Sequence, residues 1–312
     1  MDKTLETYNL VKNEDEVVHI SEAAIFKGEY TKPFSIGLKL MDEALRGGVR
    51  EGDLIVVTGL SGHGKSLFCQ NMSVNFSKVD YSSVWFSYEM LLDNLYARFK
   101  EMGMPDDKLL VYTPKKNTSG NLAWIVEKVK EAKQKFNAKF VFIDHIDYLT
   151  PKKIRDMDQR RLVLHDVCQE LKSLAIEEKL AVFLIAHVKK VQGRAVEMQD
   201  LAESSSIYQL ADFVFCVQRK MKKFKEEDGS TKFETPTDIS VLQILKNRMT
   251  GQHPMMEFRV ENNLIMPVAV EPMPFDKVDM KPYNPSQSAQ DDLDEEKQLA
   301  MVSDVFGGVL TS

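Results

Sequence analysis

The 312 residues predict an α/β protein, a mostly parallel sheet flanked by helices and continued by a C-terminal antiparallel strand extension. Apolar runs of strand length recur at residues 54–58, 84–87, 109–112, 140–143, 181–186, 213–217 and 239–245. Between most of the earlier runs lie helical patterns, such as Leu122, Ile125, Val126, Val129 and Ala132 at three-and-four spacing. Continuous apolar strands alternating with helices imply a parallel sheet covered on both faces, since each strand then buries both of its sides. After Ala211 the helices stop, and a polar, lysine-rich turn at residues 220–238, containing Asp228 and Gly229, separates strand from strand as in a hairpin.

Around this domain, expected at residues 34–270, lie two polar flanks. Residues 1–33 hold one dense apolar cluster, Val17, Val18, Ile20, Ala23, Ala24, Ile25 and Phe26, and read as an arm with a short helix. Residues 271–312 carry Pro272, Pro274, Pro282 and Pro285 and a run of acids, too little apolar surface to fold alone, so a disordered acidic tail is expected. The tail holds nine acidic and three basic residues, which accounts for the whole net charge of −6. The remainder is neutral, which argues against a surface that coats nucleic acid and leaves room for a local basic strip. Leu293, Leu299, Met301, Val302, Val305 and Phe306 among the acids fit either a docking peptide or a solubilising tail. No apolar run reaches the roughly 18 residues of a membrane span, and the first residues lack the order of a secretory signal, so a cytoplasmic protein is expected. Cys69, Cys168 and Cys216 stand far apart among apolar neighbours and read as reduced, buried thiols.

The chemistry starts directly after the first strand. Residues 59–66 read G-L-S-G-H-G-K-S, the pattern G-x-x-x-x-G-K-[ST], with a strand before and a helix after. Gly59, Gly62 and Gly64 let backbone amides turn inward around phosphates, the helix that opens at Lys65, Ser66 and Leu67 points its positive end at them, and Lys65 adds a mobile cation. The Ser66 hydroxyl suits Mg²⁺. A nucleotide site also needs carboxylates at the ends of neighbouring strands. Asp144, after the run at 140–143, is a ligand for the metal or its water, or else a loop aspartate; Glu89, after the run at 84–87, is a base for the attacking water, or else a first-turn helix glutamate. His187 ends a third strand as a γ-phosphate sensor or as an ordinary rim histidine.

These residues resemble a known family over roughly residues 35–267. The family is that of the DnaB-type replicative helicases, the bacteriophage primase-helicases and the mitochondrial helicase Twinkle, which share a RecA-like P-loop NTPase fold. The resemblance rests on Ile36, Gly37 and Leu38, Gly47 and Gly48, Gly52 and Asp53, on F-S-Y-E-M at 86–90 and F-I-D at 142–144. It continues through residues 200–212 and I-L-K-N-R-M-T-G at 244–251. It implies ATP and Mg²⁺ as cofactors, bound by Lys65, Ser66 and Asp144, with Glu89 as catalytic base and His187 as sensor. It further implies that Lys246 and Arg248, which alone would read as a solvated strand end, reach into the next subunit's ATP site, and that Arg219 lies near the adenine. Lys189, Lys190 and Arg194, with the stretch at 200–206 including Glu203, would face single-stranded DNA; otherwise they form a charged solvent loop. Many members have an arginine and a glycine in that stretch, where this chain has Ala202 and Ser205.

By the same resemblance the chain is expected to be a motor alone, without the primase-docking or primase domain of relatives. A homo-oligomer, a hexameric ring, is expected, with the N-terminal arm packing on a neighbour. A primase, polymerase or loader is the expected partner of the acidic tail, and no membrane is involved. Two other functions on the same fold compete: a RecA- or RadA-like recombinase or recombination mediator, and a regulatory ATPase resembling the clock protein KaiC.

Overall fold

A computed structural model of the chain describes residues 32–112, 122–149, 156–188, 196, 205–225 and 231–268. The described residues lie in the first of two units, Met1–Ala269; the tail expected at residues 271–312, and residues 1–31 of the arm expected at 1–33, lie outside them. In chain order the elements are α1 (Lys39–Ala44), β1 (Leu54–Thr58), α2 (Lys65–Ser77), β2 (Ser83–Ser87), α3 (Leu92–Glu101), β3 (Leu109–Tyr112), α4 (Leu122–Phe136) and β4 (Phe140–Asp144). They continue with α5 (Met157–Glu177), β5 (Ala181–Ile185), α6 (Ser205–Leu210), β6 (Phe213–Lys225), β7 (Thr231–Asn247), β8 (Met255–Glu261) and β9 (Leu264–Pro267).

Among the described residues the nine strands form one sheet in the order β3-β2-β4-β5-β1-β6-β7-β8-β9. The pairs from β3 to β6 are parallel and those from β6 to β9 antiparallel. The alternation of side chains along each strand divides the core between two faces. Ile55 and Val57 join Phe68, Met72, Phe76, Phe140, Phe142 and Phe183 on the face covered by α2. Leu54 and Val56 join Ile125, Val129, Leu171 and Leu184 on the face covered by α4 and α5. The register aligns Trp85, Phe142 and Phe183 across β2, β4 and β5, and their rings stack at 4.6 Å for each adjacent pair. Burying aromatic rings of this size contributes more per residue than any other core contact.

The hairpin differs from the sequence expectation. Residues 220–238 are mostly strand, because β6 runs on to Lys225 and β7 starts at Thr231; Asp228 and Gly229 lie outside the described residues. The apolar signal ends at Val217; of the residues that follow, Gln218 is half-buried and Arg219, Lys220, Met221 and Lys222 are exposed. The ladder there is held by backbone pairing, with register shifts between Arg219 and Met221 and between Lys222 and Lys223.

The start of β1 is anchored by a polar cluster. Asp212 Oδ2 accepts from the Leu54 amide (2.8 Å) and from Lys172 Nζ (2.5 Å), which also donates to the Gly52 carbonyl (2.6 Å). Nearby, burial pushes the Asp53 carboxyl up from 3.8 to about 6, against the Arg50 amide that donates to it at 2.6 Å and with help from Asp212. The native chain therefore holds this proton where the unfolded chain has lost it. Its stabilising contribution is greatest below pH 3.8 and declines as pH rises to about 6. Asp53→Asn should remove that decline, so the urea midpoint of the variant, relative to wild type, should climb through this window and level off above it. A constant difference across the window would show that Asp53 does not titrate there.

Candidate functional site

A parallel sheet puts the carboxyl ends of its strands on one edge, and the sequence loads that edge with polar residues. The register pairs Ser87 with Asp144, Asp144 with Ile185, and Ile185 with Val57. Glu89, Asp144, His187 and the loop at 59–66 therefore leave four adjacent strands side by side. Gly59 has φ 141°, and a Cβ there would meet the Val217 carbonyl oxygen at 2.1 Å, so only glycine lets the loop pack against β6. Gly64, with φ 98°, opens α2 in the left-handed region without a side-chain cap. The amides at Lys65, Ser66 and Leu67 thus begin a helix whose first donors have no partner within the helix. Gly62 (φ 76°) faces open space.

Lys65 lies folded back on its own loop, Nζ donating to the carbonyls of Gly59 (3.0 Å) and Leu60 (2.9 Å). Burial pulls its pKa down, opposed by Asp144 and Glu89. Asp144 is 4% exposed. Burial raises its carboxyl to about 6, a hydrogen bond from Ser66 and the Lys65 charge oppose the rise, and Glu89 adds to it. A divalent cation fits here, because it would reverse what disfavours an ionised Asp144 and would find the Ser66 hydroxyl beside it.

Glu89, 44% exposed, is held from two sides: His145 Nε2 lies 2.9 Å and His187 Nε2 3.6 Å from the same oxygen, Oε1. The two imidazole rings meet edge to face at 4.4 Å. The Asp147 amide donates to His145 Nδ1 (3.3 Å), which leaves the ring proton on Nε2 for Glu89. Burial and His187 lower the His145 pKa, against Asp147 and Glu89. Sequence reasoning assigns His145 no chemistry; its one signal is its place directly after the strand-end carboxylate. His63 likewise has no role by sequence, yet its Nδ1 accepts from the Arg219 amide (3.0 Å), tying the phosphate loop to β6 and placing exposed Arg219 at the loop's rim.

Lys246 and Arg248 are not brought to this edge. β7 runs against β6, pairing Asn247 with Phe213, so both cations sit at the amino edge of the sheet. That is about 15 Å of strand from the phosphate loop of their own chain, at roughly 3.3 Å per residue. There Lys246 Nζ donates to the carbonyls of Tyr208 (2.8 Å) and Gln209 (2.9 Å). Arg248 donates to Gln209 (3.0 Å) and pairs with Asp212 (3.2 Å). Lys189, Lys190, Arg194 and Glu203 lie outside the described residues.

A family model described as the DnaB-like helicase C terminal domain matches residues 108–264, half of the chain. The chain belongs to this DnaB-like family. The matched span includes Asp144, His187, Lys246 and Arg248; the phosphate loop and Glu89 lie before it and join the site through the sheet. The RecA-like fold of this DnaB-like chain is also seen in the solved structure of a DnaB-like replicative helicase, with a TM-score of 0.64 at 16% identity, covering 82% of this chain and 68% of that one. Among curated proteins it is similar to the replicative DNA helicase DnaC of Bacillus subtilis, 25% identical over 62% of this chain and 48% of that one. The DNA repair protein RadA of Streptococcus pneumoniae is 24% identical over 57% of this chain and 43% of its own length. The chain spans about half the length of the curated relatives it matches. No helix among the described residues is long and apolar enough to cross a membrane.

Proposed function

We propose that this DnaB-like chain is an ATP-hydrolysing helicase motor, residues 34–270, that assembles as a hexameric ring, moves along single-stranded DNA and unwinds duplex. The observation that carries the reading is the division of its polar residues between opposite sheet edges. The nucleotide residues gather at the carboxyl edge, while Lys246 and Arg248 stand at the amino edge, a strand's length from their own loop. A site that needs both is complete only when the amino edge of one subunit meets the carboxyl edge of the next, a head-to-tail arrangement that gives a ring where the rotation between subunits closes and a filament where it does not.

In this reading the amides at Gly62, Gly64, Lys65, Ser66 and Leu67 bind phosphate, and Arg219 lies beside the base. Ser66 and Asp144 would hold Mg²⁺, which would supply positive charge against the phosphates. Lys65 leaves the Gly59 and Leu60 carbonyls for the phosphates. Glu89, oriented by His145, takes a proton from the attacking water, and His187 senses the γ-phosphate beside it. Lys246 and Arg248 of a neighbour stabilise the charge that develops on the transferred group. Lys189, Lys190, Arg194 and Glu203 contact the DNA strand, and the acidic tail docks a primase, polymerase or loader.

Lys65→Ala should weaken nucleotide binding by about 1.5–3 kcal/mol, roughly 10- to 100-fold in Kd, the value of a charged hydrogen bond. Titration with a fluorescent ATP analogue measures it; an unchanged Kd would remove Lys65 from the site. The function as a whole is tested on a forked substrate with ATP and Mg²⁺. Strand displacement by rings is expected. The similarity to RadA makes filament formation on single strands without displacement the outcome that would replace the helicase with a recombination protein. ATPase without DNA stimulation would replace it with a regulatory ATPase.

A further inference from the structure

We propose that Glu89, His145 and His187 form a binding site for a late first-row divalent metal ion, Zn²⁺ foremost, and that filling this site stops ATP hydrolysis. The three side chains come from the ends of β2, β4 and β5, and one ligand atom of each lies within 4.8 Å of the other two. The Glu89 oxygen is 2.9 Å from His145 Nε2 and 3.6 Å from His187 Nε2. A tetrahedral ion with bonds of about 2.0–2.1 Å holds its donors roughly 3.3 Å apart. Two of the separations already match within a few tenths of an ångström, and the third lies within 4.8 Å, with His187 28% exposed and so able to adjust. Three protein ligands leave a fourth position for water.

The donor types decide which ion enters. Two imidazoles and one carboxylate suit Zn²⁺ and its neighbours, whereas Mg²⁺ demands oxygen donors in near-octahedral array. Ser66 and Asp144 offer oxygen only. The two adjacent sites therefore sort the metals between them. Behind His145 lies the support that orients a metal-binding imidazole: Asp147 Oδ2 is 3.4 Å from Nδ1, and Arg160 holds that carboxylate at 2.6 Å. When the ion takes Nε2, the single ring proton of neutral His145 passes to Nδ1, which gives up the bond from the Asp147 amide and turns to Asp147 Oδ2, so the ring neither gains nor loses charge. His187 Nδ1 is buried and makes no hydrogen bond among the described residues, so a bond at Nε2 would be what fixes that ring.

The inhibitory consequence rests on Glu89 being the base, because the ion occupies the oxygen that would accept the water's proton. The binding itself does not rest on it. The test is a titration of the full chain, without nucleotide, with Zn²⁺ against a chromogenic zinc chelator, and with Co²⁺ read by its visible ligand-field bands. One equivalent should bind. His145→Asn and His187→Gln, each checked for native melting, should weaken binding at least tenfold. A variant with Cys69, Cys168 and Cys216 replaced by serine should bind as wild type, since these buried thiols are the competing donors. Absence of saturable binding, or binding unchanged by both histidine variants, overturns the site. ATPase is then assayed in Mg²⁺ with and without Zn²⁺. Binding with ATPase unaffected by Zn²⁺ overturns the inhibition. A chain that binds Zn²⁺ as predicted and hydrolyses no ATP in zinc-free Mg²⁺ upholds the site and overturns the motor.

Discussion

Glu89→Gln should bind ATP as wild type does and lose about 10²- to 10⁴-fold in turnover, the usual contribution of a positioned general base. The amide keeps the size of the carboxylate and can still meet His145 Nε2, 2.9 Å from Oε1, so the local packing survives. What disappears is the ability to take a proton. Single-turnover hydrolysis beside equilibrium nucleotide binding separates the two effects. Turnover within a few-fold of wild type would move the base elsewhere, and a lost affinity would show that Glu89 serves the ground state.

Mixing two inactive proteins should restore activity if each site is built from two chains. Neither Glu89→Gln nor Arg248→Ala rings should hydrolyse ATP well, the second because a finger of this kind accounts for about 10³- to 10⁵-fold. After dissociation and reassembly, some interfaces pair an intact Glu89 with an intact Arg248, and DNA-stimulated ATPase should rise well above either parent. The readout is hydrolysis with verified subunit exchange, since a strictly sequential ring regains unwinding more weakly than hydrolysis. If Arg248→Ala alone is fully active and mixed rings add nothing, Arg248 is a strand-end charge serving Asp212 and α6.

The parallel half of the fold and the phosphate loop were legible because their signals are local. Apolar runs of four to six residues mark the parallel strands, and the glycines of residues 59–66 answer to a backbone path that a Cβ at Gly59 would block. Asp144, Glu89 and His187 could be named as partners because parallel strands deliver their ends to one edge whatever the loops between them. The convergence of His145 on Glu89 was not legible. It depends on the path of the chain after β4, which no periodicity records. The length of β6 and β7 was missed because the sequence between residues 218 and 238 is polar and carries no apolar pattern. The mooring of Lys246 and Arg248 on the end of α6 depends on a contact 36 to 39 residues away in sequence.

One ribbon joins the two edges. β6 touches its own phosphate loop at Val217 and Arg219, and its partner β7 ends, on the opposite rim, at the residues beside Lys246 and Arg248. The antiparallel ladder between them connects the loop at Val217 to the far rim, with a register shift between Val214 and Phe215 on the way. In a closed head-to-tail assembly the far rim of one subunit is the near rim of the next. In the proposed ring each ribbon would link one nucleotide site to the following one, and all the links would run the same way round because every subunit presents the same two rims.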